Sequence, residues 1–379
     1  GISLNDNVLD VKQNNYLAAI HFPVKAGSFE GSGHSGSIRD HQKRDPAIAG
    51  ISFLDISTGE FLTSQGDDTY IDKLLQSFNP SEVLYCKSQR EIFQQKYGDK
   101  YHTWQLDEWV FQHDYGCEKL TDHFGTRSLK GFGIEKLEAG IISAEAILHY
   151  LSETEHHDIK HIASIARIEE ERYVWLDKFS IRNLELLYSQ FEGGVPLIDI
   201  LDQTVTPMGA RLMKKWIVLP LKEKAAIDER LKIVESLKNK KLLDDVNHDI
   251  KQIGDIERLI SKVALNRANP REMLHLKKAL VHILPVKNVL TKSKIPYLKK
   301  LSGQLNTCDF LREKIGNELK EEAPLLTNQG NIFKDGVDTE LDELRKITHH
   351  GKEILVQIQQ KESKRTGIPS LKIAYTKVF

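Results

Sequence analysis

The stretch Gly254–Arg271, GDIERLISKVALNRANPR, decides how much of this chain must fold. Ile256, Leu259, Ile260, Val263 and Ala264 recur at helical spacing, with Glu257, Arg258 and Lys262 on the other side. Gly254-Asp255 reads as a helix start, the acid sitting where the first amides favour negative charge. Asn266, Asn269 and Pro270 stop that helix and begin another, with Pro270 at a first helical position. The following helix, predicted over Arg271–Leu284, carries Met273, Leu274, Leu276, Ala279 and Leu280. The stretch is a tight corner joining two helices by their buried stripes, and pattern alone makes it an ordinary one.

Outward from this corner, 379 residues suffice for two or three domains. A hydrophobic share of 40% supports proper cores, and no apolar run approaches the roughly 18 residues that cross a bilayer. No basic-then-apolar leader opens the sequence. Cys86, Cys117 and Cys308 lack disulfide or metal spacing, which predicts a reducing, cytoplasmic setting and no membrane association. The net charge of −1 hides an asymmetry: residues 1–162 hold 15 Lys and Arg against 24 Asp and Glu, residues 163–379 hold 38 against 30. A basic half permits nucleic-acid contact without requiring it, because lysine-rich helices are commonly just solvated.

Along the acidic half, strands are predicted over Tyr16–Phe22, Ala49–Leu54, Glu60–Ser64 and Glu82–Cys86, with a helix over Asp68–Phe78 and a further possible strand over Tyr101–Leu106. Ser57-Thr58-Gly59 supplies turn chemistry, and the Gly-, Ser- and His-rich run Gly27–Asp45 has no core pattern, so it reads as a long loop or linker. The order strand-strand-strand-helix-strand is that of a ribonuclease H-like sheet, which raises a metal-dependent nuclease as an alternative, with Asp55, Glu60 and Asp107 as its available carboxylates. Against this, Asp55 leads straight into the turn, where an acid caps backbone amides well. A helix over Glu135–Leu151 follows, and His157 and His161 stand four apart without an evident third ligand.

From about Ile162 the chain reads almost wholly as helix: Ile181–Gln190, Pro196–Leu201, Pro207–Leu219, Ala226–Leu237, Lys241–Ile253, the central pair, Pro296–Leu305 and Asp309–Leu319. The longest segment, Asp338–Arg365, has the stripe Leu341, Leu344, Ile347, Ile354, Leu355 and Ile358; as one helix it would run roughly 40 Å. The last stretch, Leu371–Phe379, alternates like a strand with no hairpin partner, so the chain reads as cut within a larger protein.

Four stretches together resemble the MutS family of DNA mismatch-repair proteins. Phe53-Leu54-Asp55 with Ser57-Thr58-Gly59-Glu60-Phe61 is similar to the family's connector hairpin. Asn183–Leu186, Pro196-Leu197, Thr206–Leu212 and Leu219-Pro220-Leu221 resemble the start of its core, and Gly254–Arg271 the core's central corner. Asp335-Gly336, Asp342–Arg345, Thr366–Lys372 and Val378-Phe379 are similar to its lever helix and the start of its clamp. The resemblance implies a multidomain α+β protein: a ribonuclease H-like α/β connector over residues 1–162, then an all-α core with a long lever helix over 163–379.

For the parent protein the resemblance implies a homodimeric ring on mismatched double-stranded DNA, driven by ATP and Mg and contacting MutL. The family's reader wedge, Phe-x-Glu, and its phosphate loop, GxxxxGK[ST], are absent from the sequence, so this chain should hold no cofactor, metal or catalytic residue of its own. Arg211, Arg258, Arg267, Asn269 and Arg271, members of the signature, become candidates for interdomain coupling; local capping and surface pairing are their plainer use. Asp55 and Glu60 become structural. The alternatives that stay open are the nuclease with a helical appendage, a non-enzymatic protein-binding scaffold, and a relative serving recombination.

Overall fold

The computed structural model describes residues 10–22, 48–154 and 159–373. The loop expected over Gly27–Asp45 and the pair partner His157 lie outside the described residues, as do Ala374–Phe379. Leu371–Ile373, the described start of the last expected strand, form no strand.

Six strands make one sheet: β1 Leu17–His21, β2 Ala49–Asp55, β3 Glu60–Gly66, β4 Glu82–Cys86, β5 His102–Leu106 and β6 Ala166–Arg167, in the order β5-β4-β1-β2-β3-β6. The hairpin β2–β3 and the pair β1–β2 are antiparallel, while β4 and β5 run parallel to β1. β1 is central, so its run LAAIH is apolar on both faces. Leu17 and Ala19 face one core, Ala18 and Ile20 the other. The hairpin turns as Ser57-Thr58-Gly59 predicts: Gly59 takes φ +75° and its N–H donates to Asp55 O at 2.8 Å. β6 corrects the expectation that residues 163–379 are all-α. Only two residues long and exposed, it carries no alternating pattern, and its pairing with Leu62 and Thr63 of β3 is a long-range event.

Helices cover both faces. On one, α1 (Asp68–Phe78) starts at Asp67, whose carboxylate caps Tyr70 N–H at 2.8 Å, and buries Ile71, Leu74, Leu75 and Phe78. With α2 (Arg90–Tyr97), absent from the sequence expectation, it builds an aromatic core: Tyr85 stacks on Phe93 at 4.3 Å and Phe53 on Phe78 at 4.5 Å. On the other face lies α4 (Glu138–Glu153), flanked by α3 (His113–Phe124), which the sequence expectation also lacked. α4 approaches the sheet closely because glycines face each other: a Cβ on Gly50 would sit 1.9 Å from Ala139 O, and Ser52, Thr63, Gly140 and Ser143 exchange short hydrogen bonds there.

Contacts divide the chain into two compact units, one holding residues up to Ala268 and then Lys278–Cys308, the other Asn269–Lys277 and the residues from Asp309. The first unit contains the sheet and then α5 (Lys178–Asn183), α6 (Leu197–Leu201), α7 (Pro207–Val218), α8 (Lys224–Leu237), α9 (Lys240–Ile253) and α10 (Ile256–Ala264). α11 (Pro270–Lys292) continues past Pro285, eight residues beyond the expected end at Leu284. Val286 and Leu290 from its later part pack with Val246 and with Leu298 of α12 (Pro296–Gln304), a burial that outweighs the hydrogen bond lost at the proline.

In the second unit α13 (Asp309–Glu318) leads into a short bridge, Leu319 against Phe333, and Arg345 donates to Phe333 O at 2.9 Å and Asp335 at 3.0 Å. The long helix expected over Asp338–Arg365 is two helices, α14 (Thr339–His349) and α15 (Gly351–Thr366). His350 leaves the helical region at φ −110°, ψ 20°, and the glycine after it costs a helix about 1 kcal/mol relative to alanine. The expected stripe is not buried: Leu344, Ile347, Leu355 and Ile358 are all exposed.

Candidate functional site: two buried arginines that hold the segment before the sheet

Charged side chains rarely enter a core unless partnered. Arg211 and Arg258 do so here, at 4% and 5% exposure. Each is placed by a capped helix. Thr206 caps α7 through Gly209 N–H at 3.1 Å, with Pro207 at the first turn, so that Arg211 falls on the face carrying buried Ala210 and Val218. Asp255 caps α10 through Arg258 N–H at 3.4 Å, as the Gly254-Asp255 start predicts.

The two arginines close on one short segment. Arg211 Nη1 donates to Val11 O at 2.9 Å and to Asp255 Oδ2 at 2.8 Å; Nη2 donates to Asp255 Oδ1 at 2.8 Å and Glu257 Oε2 at 2.6 Å. Arg258 Nη2 donates to Asp10 O at 3.0 Å and Gln13 O at 2.7 Å. Three carbonyls of residues 10–13 are thus held by two guanidiniums, and that segment runs directly into β1. Burial pulls the Arg211 guanidinium down, but Asp255 and Glu257 more than restore it, so it stays charged well above its usual value. A second tie runs from the same helix: Lys215 donates to Glu60 at 2.5 Å, and Tyr16 donates to the other oxygen of Glu60 at 2.5 Å. Burial, then Glu60, keep Tyr16 protonated far into the alkaline range.

The other candidates fall elsewhere. Asn269 accepts from Glu272 N–H at 3.0 Å while Glu272 accepts from Asn269 N–H at 2.9 Å, a reciprocal cap for α11 that the spacing Asn269-x-x-Glu272 signals in the sequence. Arg271 donates to Ala323 O at 3.3 Å, and Arg267 is exposed. The structure therefore brings Arg211 and Arg258 together and gives Asn269 and Arg271 local work in the second unit. Sequence reading missed Asp255, Glu257 and the receiving segment 10–13.

The carboxylates of the nuclease alternative do not assemble. Asp55, fully buried, spends Oδ1 on Ser57 N–H and hydroxyl at 2.9 and 2.7 Å, and Oδ2 on the Asn14 side-chain Nδ2 at 2.8 Å and the Asn15 backbone N–H at 3.3 Å. Glu60, its partner across the hairpin, is taken by Lys215 and Tyr16. Leu17 pairs with both Leu54 and Glu82, and Glu82 with His102, so Asp55 lies at the end of the sheet where β5 begins. Asp107 follows the far end of β5, about 20 Å away along the strand direction, and pairs with Lys87 at 2.6 Å. His161 is equally committed, its Nε2 at 2.8 Å from Ile56 O.

Comparison with known proteins places this sequence in a family. The model of MutS domain II matches residues 15–163 and that of MutS domain III matches 180–371. The chain is 57% identical to the DNA mismatch repair protein MutS of Cytophaga hutchinsonii and 49% identical to those of Bacteroides fragilis and Flavobacterium psychrophilum, with all of this chain aligned each time. It spans 42%, 42% and 41% of those proteins. The chain belongs to the MutS family of DNA mismatch repair proteins.

Proposed function

We propose that this chain is the connector and core part of a mismatch-recognition protein, and that it carries conformational change between the parent's DNA clamp and its ATPase. The connector is residues 1–162 and the core 163–379. The strand order β5-β4-β1-β2-β3, with β2 reversed, supports a ribonuclease H-like fold for the connector. The parent acts as a homodimer on mismatched duplex DNA, uses ATP with Mg, and contacts MutL. The sequence holds no GxxxxGK[ST] run, so no residue here answers to a phosphate cradle and no step of ATP chemistry is assigned to this chain. The lever expected over Asp338–Arg365 acts as two stiff pieces meeting at His350.

The observation carrying this reading is the grip of Arg211 and Arg258 on residues 10–13. A displacement of α7 or α10 passes to β1 only if the link between them is stiff, and buried, charge-assisted bonds to backbone meet that need. The test is the parent protein carrying Arg211→Met and Arg258→Met together. Mismatch affinity without nucleotide should stay within about threefold, while ATP-triggered conversion to a sliding clamp slows by tenfold or more. Unchanged conversion in a folded double variant refutes the coupling role.

A further inference from the structure

Arg211 is a cation with its counter-ions built in. A second group of cations in the same unit has none among the described residues. Residues 172–174 run antiparallel to 220–222: Val174 N–H donates to Pro220 O at 2.8 Å, Lys222 N–H donates to Arg172 O at 3.0 Å, and Tyr173 pairs with Leu221 between them. Residues directly opposite in such a pair share a face, so Arg172 and Lys222 stand side by side, an arrangement that costs stability for like charges. Both are exposed. Arg230, from α8, lays its guanidinium 3.7 Å from the centre of the Trp216 ring. Burial, and then the charge of Arg172, lower it from its usual value, with only Tyr173 opposing. Among the described residues none of the three forms an ion pair, although the neighbouring Lys224 is neutralised by Asp228 at 2.6 Å.

We propose that Arg172, Lys222 and Arg230 form a sequence-blind contact for the phosphodiester backbone of DNA. A guanidinium held 3.7 Å over an indole is fixed in place, and among the described residues no carboxylate pairs with it, so its N–H groups can meet a phosphate with two bonds. The same stacking covers one face of Trp216, which leaves the patch suited to backbone rather than to base stacking. The surrounding half of the chain is the basic one, 38 Lys and Arg against 30 Asp and Glu. The proposal rests on family membership and not on the coupling role, since it involves neither Arg211 nor Arg258.

Fluorescence anisotropy of the 379-residue chain with labelled matched and mismatched duplexes, across a salt series, tests this. The chain should bind both duplexes alike at low salt. The triple variant Arg172→Gln, Lys222→Gln, Arg230→Gln should lose at least tenfold in affinity and about 2–3 in the slope of log K against log salt, near 0.9 for each phosphate no longer neutralised. Its melting temperature should hold or rise, because repulsion is removed. Arg230→Lys keeps the charge and should stay within about threefold. No binding by the wild-type chain, an unchanged slope in the triple variant, or a loss with Arg230→Lys equal to the triple's overturns the proposal. So does displacement of bound DNA by a poly-glutamate peptide at equal charge concentration, which would make the patch a dock for an acidic protein segment.

Discussion

Replacing Arg211 by Met removes a guanidinium whose side chain is 3% exposed and leaves partners of unequal need. Glu257, 48% exposed, returns to water at little cost. Asp255, 17% exposed, loses both of its short bonds and keeps only the long cap to Arg258 N–H at 3.4 Å. The Val11 carbonyl loses its donor as well. Breaking a buried pair on one side costs about 3–5 kcal/mol, and the solvent-facing Glu257 draws the expectation to the lower half, about 3–4 kcal/mol. Arg258→Met is the informative contrast. Arg258 gives two bonds to carbonyls, yet its buried Nε and Nη1 find no partner among the described residues, so the same substitution also removes two donors unsatisfied there. The net cost should be about 1–2 kcal/mol. Urea unfolding followed by tryptophan fluorescence, with Trp216 on the same helix as Arg211, measures both. An Arg211→Met cost below about 1 kcal/mol, or a larger cost for Arg258→Met, refutes the assignment of the two roles.

Two further outcomes follow from the sheet and its covering helices. Burial lifts the Glu145 carboxyl of α4, 1% exposed, from 4.5 to about 8, with Lys119 only partly opposing. The folded state keeps a proton that the unfolded state releases, so this contribution is whole below pH 4.5 and is lost as pH rises through about 8, with a ceiling of roughly 5 kcal/mol. Thermal melts of Glu145→Gln should therefore show a smaller drop between pH 6 and pH 9 than wild type, and equal drops would place the pH sensitivity elsewhere. Gly50→Ala drives a methyl into the Ala139 carbonyl and should cost about 3 kcal/mol, whereas Gly140→Ala meets Thr63 Oγ1 at 2.9 Å and should cost about 1; equal urea midpoints would contradict the close approach of α4 to β2.

What the sequence disclosed about the fold tracks the strength of local signals. The helix Asp68–Phe78 and the strand Glu82–Cys86 match their expected bounds, because each has a marked boundary: the Asp67 cap, and the Asn79-Pro80 break. Arg90–Tyr97 and His113–Phe124 escaped because each buries little of its own surface, Phe93 alone in the first and Gly116 and Leu120 in the second. The helix expected to end at Leu284 runs on through Pro285, because packing of Val286 and Leu290 outweighs the local cost of the proline. At His350-Gly351 the apolar spacing continued through the break, and spacing carries no information about one residue's backbone angles.

The candidate site shows a sharper limit of the same kind. Arg211 and Arg258 could be singled out as charged members of the stretches that resemble the family signature, although the helical spacing put Arg258 on the side away from the apolar stripe. Their receptor could not. Asp10, Val11 and Gln13 contribute backbone oxygens, and a carbonyl is the same in every residue, so no side-chain pattern in 10–13 announces that two arginines more than 195 positions away will seize it. Asp255 was read as a cap and is one, but a carboxylate has room for both duties: Oδ1 serves the Arg258 amide and Arg211 together. The same chemistry makes the grip insensitive to which side chains occupy 10–13, and sensitive to any change that bends their backbone. A proline at position 12 would therefore weaken the hold of Arg211 and Arg258 more than any change of side-chain charge there, including the loss of the exposed Lys12–Asp202 pair at 3.2 Å.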